Sequence, residues 1–202
     1  MVGGGVRVAP WIPAPLAAVY VALATAWVGS CDVVYDLGAG DGRVVVIAAR
    51  DFCARKAVGI EIDPALVEVA RYHVRRERLE DRVSIIEGSF FDVDLSEATV
   101  VYIYLYRSVN ERLRPKLERE LLPGARVVTV DFPIPGWVPI LVRRFEDEGG
   151  ITRTVHLYVV GLSDTRWTKR SVRPSAEHYP LRILAECSPC EPRRRFKLNG
   201  KS

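Results

Sequence analysis

Val33-Val34-Tyr35-Asp36-Leu37-Gly38-Ala39-Gly40-Asp41-Gly42-Arg43 is the stretch that decides the fold. Its first half is a short apolar, β-branched run that reads as a strand, and its second half is a tight glycine loop opening onto the amphipathic segment Arg43 to Asp51, a helix. Strand, glycine loop and helix in that order place a ligand at the carboxyl end of the first strand of an open α/β sheet. The third glycine follows the second by two residues, whereas a dinucleotide fingerprint wants three. Asp36 and Asp41 flank the loop, and two carboxylates there repel phosphate and favour a ligand carrying positive charge.

Outward from this stretch, helix and strand signals alternate, as in a parallel sheet covered by helices. Before it, Leu16 to Val28 predicts a helix. After it come a strand over Lys56 to Ile62 and a helix over Pro64 to Arg78, with Asp63 as N-cap and Pro64 at the first helical position. Strands follow over Arg82 to Ile86 and Thr99 to Leu105. Leu113, Leu117 and Leu121 at i, i+4 and i+8 mark a helix stopped by Pro123-Gly124. Ala125 to Phe132 is a fifth strand. Val138 to Phe145 and Thr152 to Gly161, joined by the turn-like Glu146 to Gly150, predict an antiparallel hairpin. The expected fold class is therefore α/β: a doubly wound, Rossmann-like seven-stranded sheet, mostly parallel, with an antiparallel C-terminal hairpin. Residues 1–161 form the expected domain, and 162–202, where periodicity fades into Arg, Pro and Ser, a loosely ordered extension.

The end of the second strand carries a further acid, Glu61 in Gly59-Ile60-Glu61-Ile62-Asp63-Pro64. A carboxylate there can accept both hydroxyls of a ribose. After the third strand, Glu87-Gly88-Ser89-Phe90-Phe91-Asp92 falls where a purine would lie: Phe90 can pack on its face, and Ser89 or a backbone amide can bond its edge, although Phe90-Phe91 also reads as plain core. A ribose, a purine and a cationic group together describe S-adenosylmethionine. The expected cofactor contacts are Pro13, Asp36, Gly38, Ala39, Gly40, Asp41, Gly42, Glu61, Ile62, Ser89, Phe90 and Tyr102.

With these motifs the chain resembles the class I, seven-strand S-adenosylmethionine-dependent methyltransferases. Trp11-Ile12-Pro13-Ala14-Pro15, the glycine stretch, and Val109-Asn110-Glu111-Arg112-Leu113-Arg114-Pro115-Lys116-Leu117 are similar to the archaeal protein-lysine methyltransferases. Those are small single-domain enzymes related to the mitochondrial enzymes that modify the ATP synthase c subunit and the adenine nucleotide translocase. The resemblance covers roughly residues 9–161 and implies methyl transfer to protein lysines in an archaeal, cytoplasmic, monomeric enzyme. Two positions depart from the relatives. Ala14 stands where the family pattern has Thr, and Tyr102-Ile103-Tyr104-Leu105-Tyr106 stands where the distantly similar histone-core enzymes have paired Asn.

Transfer from a sulfonium to an amine is an in-line displacement, so the protein must align nitrogen, methyl and sulfur, exclude water and present a neutral amine. The end of the fourth strand is where this fold puts the acceptor. Alternation points Tyr102, Tyr104 and Tyr106 to one face, and Tyr104 and Tyr106 are the expected acceptor-positioning residues, with packing under neighbouring helices as the competing role of the first two. The lack of an Asn/Asp-Pro-Pro-aromatic motif there argues against amino methylation of bases. Other readings remain at this stage: a class I methyltransferase acting on RNA or a small molecule, or a non-catalytic cofactor-binding module.

The 202 residues are 49% hydrophobic and 27% charged, as expected of a globular domain, and neither a collagen-like nor a disordered chain. Residues 162–202 hold ten Lys/Arg against four Asp/Glu, a balance of +6, while residues 1–161 carry 19 basic and 21 acidic groups, a balance of −2. The net +4 thus belongs to the tail. Arg193-Arg194-Arg195-Phe196-Lys197 could hold nucleic acid, but a solvated end is the favoured reading. With 24 Arg, five Lys, two Asn and no Gln, the composition fits a thermophile. Leu16 to Val28 is too short to cross a bilayer, so no membrane association is expected. Four cysteines are too few for a disulfide scaffold; Cys31 and Cys53 lie in apolar segments and are expected to be buried, and Cys187-Ser-Pro-Cys190 has zinc-knuckle spacing without enough ligands nearby. His73 and His156 have no acid or Cys at catalytic spacing.

Overall fold

A computed structural model of the chain describes residues 12–164. In chain order the elements are α1 (Leu16–Thr25), β1 (Val33–Leu37), α2 (Arg43–Asp51), β2 (Lys56–Glu61), α3 (Pro64–Arg76), β3 (Val83–Glu87), β4 (Val100–Ile103), α4 (Arg107–Glu120), β5 (Arg126–Val130), β6 (Leu141–Glu146) and β7 (Thr152–Val159). The seven strands make one sheet in the order β3-β2-β1-β4-β5-β7-β6. β1 to β5 are parallel, and β7 enters antiparallel between β5 and the edge strand β6. The strand order reverses at β1, whose neighbours are β2 and β4. A crevice at a reversal of this kind lies outside the carboxyl ends of the strands.

Strand residues alternate between two cores. Val34, Val100, Tyr102, Val128, Val130, Val155 and Leu157 pack under α1 and α2, and Val33, Tyr35, Leu37, Val101, Ile103, Val127 and Tyr158 pack under α4. Because helices cover both sides, β1 and β4 are buried at every residue and show no inside-outside alternation. No helix among the described residues is long and apolar enough to cross a membrane.

Several elements differ from the expected bounds. α1 stops at Thr25, where Trp27 takes φ +49° and its amide turns back to Ala24. β4 keeps only four residues, and α4 begins at Arg107, well before the leucine repeat. β6 starts at Leu141 rather than Val138, since Pro139 has no amide for the ladder and Val138 donates to Ser163 instead. Residues 162–164 fold back on the sheet: the amide of Gly161 donates to Asp164 at 2.8 Å, that of Val159 to Ser163 Oγ at 3.1 Å, and Ser163 and Asp164 are buried. Cys31 and Cys53 are only half-buried and both are disulfide-bonded, against the expectation of buried thiols. The apolar neighbours that suggested burial belong to the adjoining strand and helix, while the cysteines sit in the connecting loops. Cys187, Cys190 and the basic run lie outside the described residues.

Candidate active site

The glycine loop and the acid of β2 are built as one piece. The amide of Gly40 donates to Glu61 Oε2 at 2.8 Å, and those of Ile62 and Asp63 donate to Oε1 at 2.9 and 3.0 Å. Glu61 is thereby fixed and buried; its Oε1 positions are filled by two amides, and one acceptor position on Oε2 is left for a hydroxyl donor. Gly42 is the N-cap of α2 at φ +78°, and a Cβ there would stand 2.9 Å from Ala70 Cβ of α3, so a side chain is excluded by both backbone and space.

Asp36, the fourth residue of β1, is 2% exposed and pairs in register with Tyr102 of β4. Burial first, then the charges of Glu61 and Asp41, push its carboxyl well above the usual range. A buried carboxylate near two others suits a positively charged ligand. The sulfonium and ammonium of S-adenosylmethionine supply that charge, so these residues fit the cofactor the sequence implies.

Asp41 behaves differently from the sequence expectation. Both of its oxygens take Arg43, with Nε at 2.9 Å and Nη2 at 2.6 Å, and although burial raises its pKa, the Arg43 hydrogen bond and charge outweigh this and hold it below the usual range. Its charge is therefore neutralised within the loop rather than offered to a ligand. Arg43 also donates to the Ala14 carbonyl at 2.8 Å, which ties the Ile12-Pro13-Ala14-Pro15 segment to the glycine loop. His73 Nδ1 lies 2.9 Å from the Asp41 carbonyl and steadies the same turn. The sequence gives Arg43 within the motif but no sign of its reach to Ala14.

The remaining expected residues are distributed around the crevice. Pro13 is exposed in the tied segment, Gly38 and Ala39 donate to the Ile60 carbonyl, and Ile62 is half-buried after β2. Ser89 Oγ accepts from the Phe91 amide at 3.2 Å and keeps its own proton to donate. Phe90 is buried in the core under α4 with its ring 4.9 Å from Phe91, so most of its surface is already covered.

The three tyrosines do not share one face. Tyr102 and Tyr104 lie on the α1 side, but the strand ends at Ile103, and Tyr106 leaves it to cap α4 with its ring 5.9 Å from Phe132. Tyr102 is 1% exposed and its hydroxyl has no hydrogen-bond partner. Tyr104 is half-buried, and its hydroxyl accepts from Arg153 Nη1 at 3.3 Å. Arg153 also donates to Asp131 at 2.8 Å and to Asp147 at 2.8 Å. No sequence pattern puts Asp131 beside Arg153, because only the pairing of β5 with β7 brings them together. Among the described residues, no group of three His, Cys, Asp or Glu could hold a metal ion.

Residues 36–141 match the family described as the ANTKMT methyltransferase domain. A protein-lysine N-methyltransferase of Saccharolobus islandicus is 48% identical over 152 residues, 75% of this chain and 94% of that one. The chain belongs to this methyltransferase family. An adenine nucleotide translocase lysine N-methyltransferase of Mus musculus is 41% identical over 107 residues, but these make up only 46% of that protein. A solved structure described as an RNA methyltransferase from Salinibacter ruber, in complex with S-adenosyl-L-homocysteine, is 44% identical, with a TM-score of 0.68 over 74% of this chain and 94% of that one. The enzyme is an S-adenosylmethionine-dependent methyltransferase.

Proposed function

We propose that the enzyme transfers the methyl group of S-adenosylmethionine to lysine ε-amino groups of proteins. The observation that carries this reading is the 48% identity along 94% of the archaeal protein-lysine methyltransferase. The acceptor side supports it: the end of β4 presents Tyr104 and Tyr106 and no Asn/Asp-Pro-Pro motif to hold the exocyclic nitrogen of a base. When bound, the cofactor supplies an activated methyl group. Glu61 takes a ribose hydroxyl on Oε2; Asp36 faces the positive charge; Gly38, Ala39, Gly40 and Gly42 let the loop approach closely; Ile62 and Ser89 border the adenine, to which Phe90 offers only the part of its ring that the core leaves uncovered. Pro13 and Tyr102 close the crevice. Asp41 acts through Arg43 as a positioning residue. A lysine amine, with a reference pKa of about 10.4, reaches such a site mostly protonated, and burial near a sulfonium favours its neutral form.

A second reading, RNA as acceptor, is supported by the name of the Salinibacter protein and by the +6 balance of residues 162–202. Incubating the pure enzyme with methyl-labelled cofactor and its host's lysate, then treating halves with protease or nuclease, separates the two. Label lost to protease and mapped to lysine is the expected outcome. Label lost to nuclease replaces the lysine reading with the RNA one.

A further inference from the structure

The carboxyl ends of β4 and β5 and the amino end of the antiparallel β7 carry a second polar cluster. Asp131 follows β5 with φ +63°, and the amide of Phe132 turns back to the Val130 carbonyl at 2.8 Å, so the chain bends sharply to hold Asp131 here. One carboxylate oxygen of Asp131 takes Arg153 Nη1 at 2.8 Å, and the other takes the Thr154 amide at 3.2 Å. A carboxylate has about four acceptor positions, so two remain open. Its side chain is 22% exposed, whereas Arg153, at 18%, spends its donors on Asp131, Asp147 and Tyr104. The hydroxyl of Tyr102, in register with Asp36 across β1 and β4, is buried and unpartnered. Next in sequence to Asp131, the exposed Phe132 meets the exposed Tyr106.

We propose that Asp131, with Tyr104 beside it and the Tyr106–Phe132 pair at the entrance, is the seat of the acceptor lysine. The proposal rests on the lysine reading above and deepens it. An incoming ammonium finds a carboxylate with free lone pairs, and its methylene chain finds two aromatic rings. The ammonium first loses a proton to solvent water. The nitrogen lone pair then forms the new C–N bond as the S–C bond breaks, with the breaking pair remaining on sulfur. Positive charge moves from sulfur to nitrogen, and Asp131 faces the nitrogen where that charge develops. Asp36 stands at the other end of the path, beside the cofactor. Arg153 and Asp147 hold Asp131 and Tyr104 in place and touch neither reactant.

Asp131→Asn tests this, because Asn tolerates the left-handed conformation; the change removes the charge and turns one acceptor oxygen into a donor, so melting is read beside activity. The probes are methyl-labelled cofactor with host lysate protein, calorimetry with S-adenosylhomocysteine, and thermal melting. The expected result is methylation of protein lowered at least about 100-fold in kcat/KM, with the loss in kcat as well as in KM, and cofactor affinity within about 2-fold of the parent. Tyr104→Phe, which removes a hydroxyl, is expected to lower kcat/KM about 10-fold with the same cofactor affinity. Asp131→Asn transferring label at the parent rate overturns the seat while leaving lysine methylation intact. A fall in cofactor affinity and melting temperature that accounts for the whole loss makes Asp131 structural and equally overturns it. A parent enzyme that labels RNA and no protein overturns the lysine reading itself.

Discussion

The amide of Gly40 donates to the buried carboxylate of Glu61 at 2.8 Å, so the loop after β1 and the last residue of β2 position one another. Glu61 shapes the loop, and in the proposed site it also meets the ribose. Glu61→Ala removes both and is expected to weaken cofactor binding by about 1–3 kcal/mol, the scale for a hydrogen bond to a charged group. Glu61→Gln retains an acceptor oxygen but loses charge and should fall between. Calorimetric titration with S-adenosylhomocysteine measures both, and parent affinity in Glu61→Ala would refute the assignment.

In the proposed site, Asp36 is expected to stabilise the bound cofactor at the expense of the free protein. Its folded pKa lies above the unfolded value, so between the two the folded state binds more protons and the free enzyme loses stability as pH rises through that window. Asp36→Asn is expected to raise the melting temperature of the free enzyme at neutral pH by a few degrees, the response of a chain this size to about 1 kcal/mol. The same change weakens cofactor affinity. Binding of the cationic cofactor lowers the pKa of Asp36, so calorimetry in buffers of different ionisation enthalpy should register proton release at pH values where free Asp36 is protonated. A variant that melts lower and binds as tightly as the parent contradicts this account.

Arg43 couples the loop to the segment before α1. Arg43→Met leaves Asp41 without its partner and the Ala14 carbonyl without its donor. Amide hydrogen exchange over residues 14–20 should quicken about 10-fold, with a smaller change over β5, which Arg43 does not touch. Uniform exchange across the two regions would show that the tie carries no local stability.

Glu148 caps a helix from across the sheet. Its carboxylate accepts from the amides of Leu16 at 2.8 Å and Ala17 at 3.2 Å, where the preceding Pro15 offers no side-chain acceptor. Glu148→Ala is expected to cost about 1 kcal/mol, as other N-cap losses do, and to lower the melting temperature by a few degrees. Thermal melting at neutral pH reads this directly; an unchanged melting temperature would mean water replaces the carboxylate without loss.

The seven strands, their order of appearance and the antiparallel final hairpin were legible because each strand is a short apolar run bounded by glycine, proline or charge. The placement of the acids and glycines at the ends of β1 and β2 was equally legible. Asp36, the loop glycines and Glu61 lie within a few residues of strand ends, and a strand end fixes where a side chain sits. The acceptor half was not. Tyr106 alternates with Tyr102 and Tyr104 on paper, yet β4 ends at Ile103 because α4 begins at Arg107, and alternation has no meaning past that point. Asp41 reads as a free acid until Arg43 folds back onto it.

What the sequence determined by itself is thus local: periodicity, turn chemistry, and acids at the ends of β1 and β2. What only the tertiary structure decided is which distant groups share a charge. Asp131 and Arg153 are 22 residues apart and meet because β7 inserts antiparallel beside β5; Glu148 finds α1 from 132 residues away, and Arg43 finds Ala14. Ion pairing and helix capping depend on separation in space, which no pattern of neighbouring residues encodes, and they fall into place only once burial of the two cores has fixed the sheet.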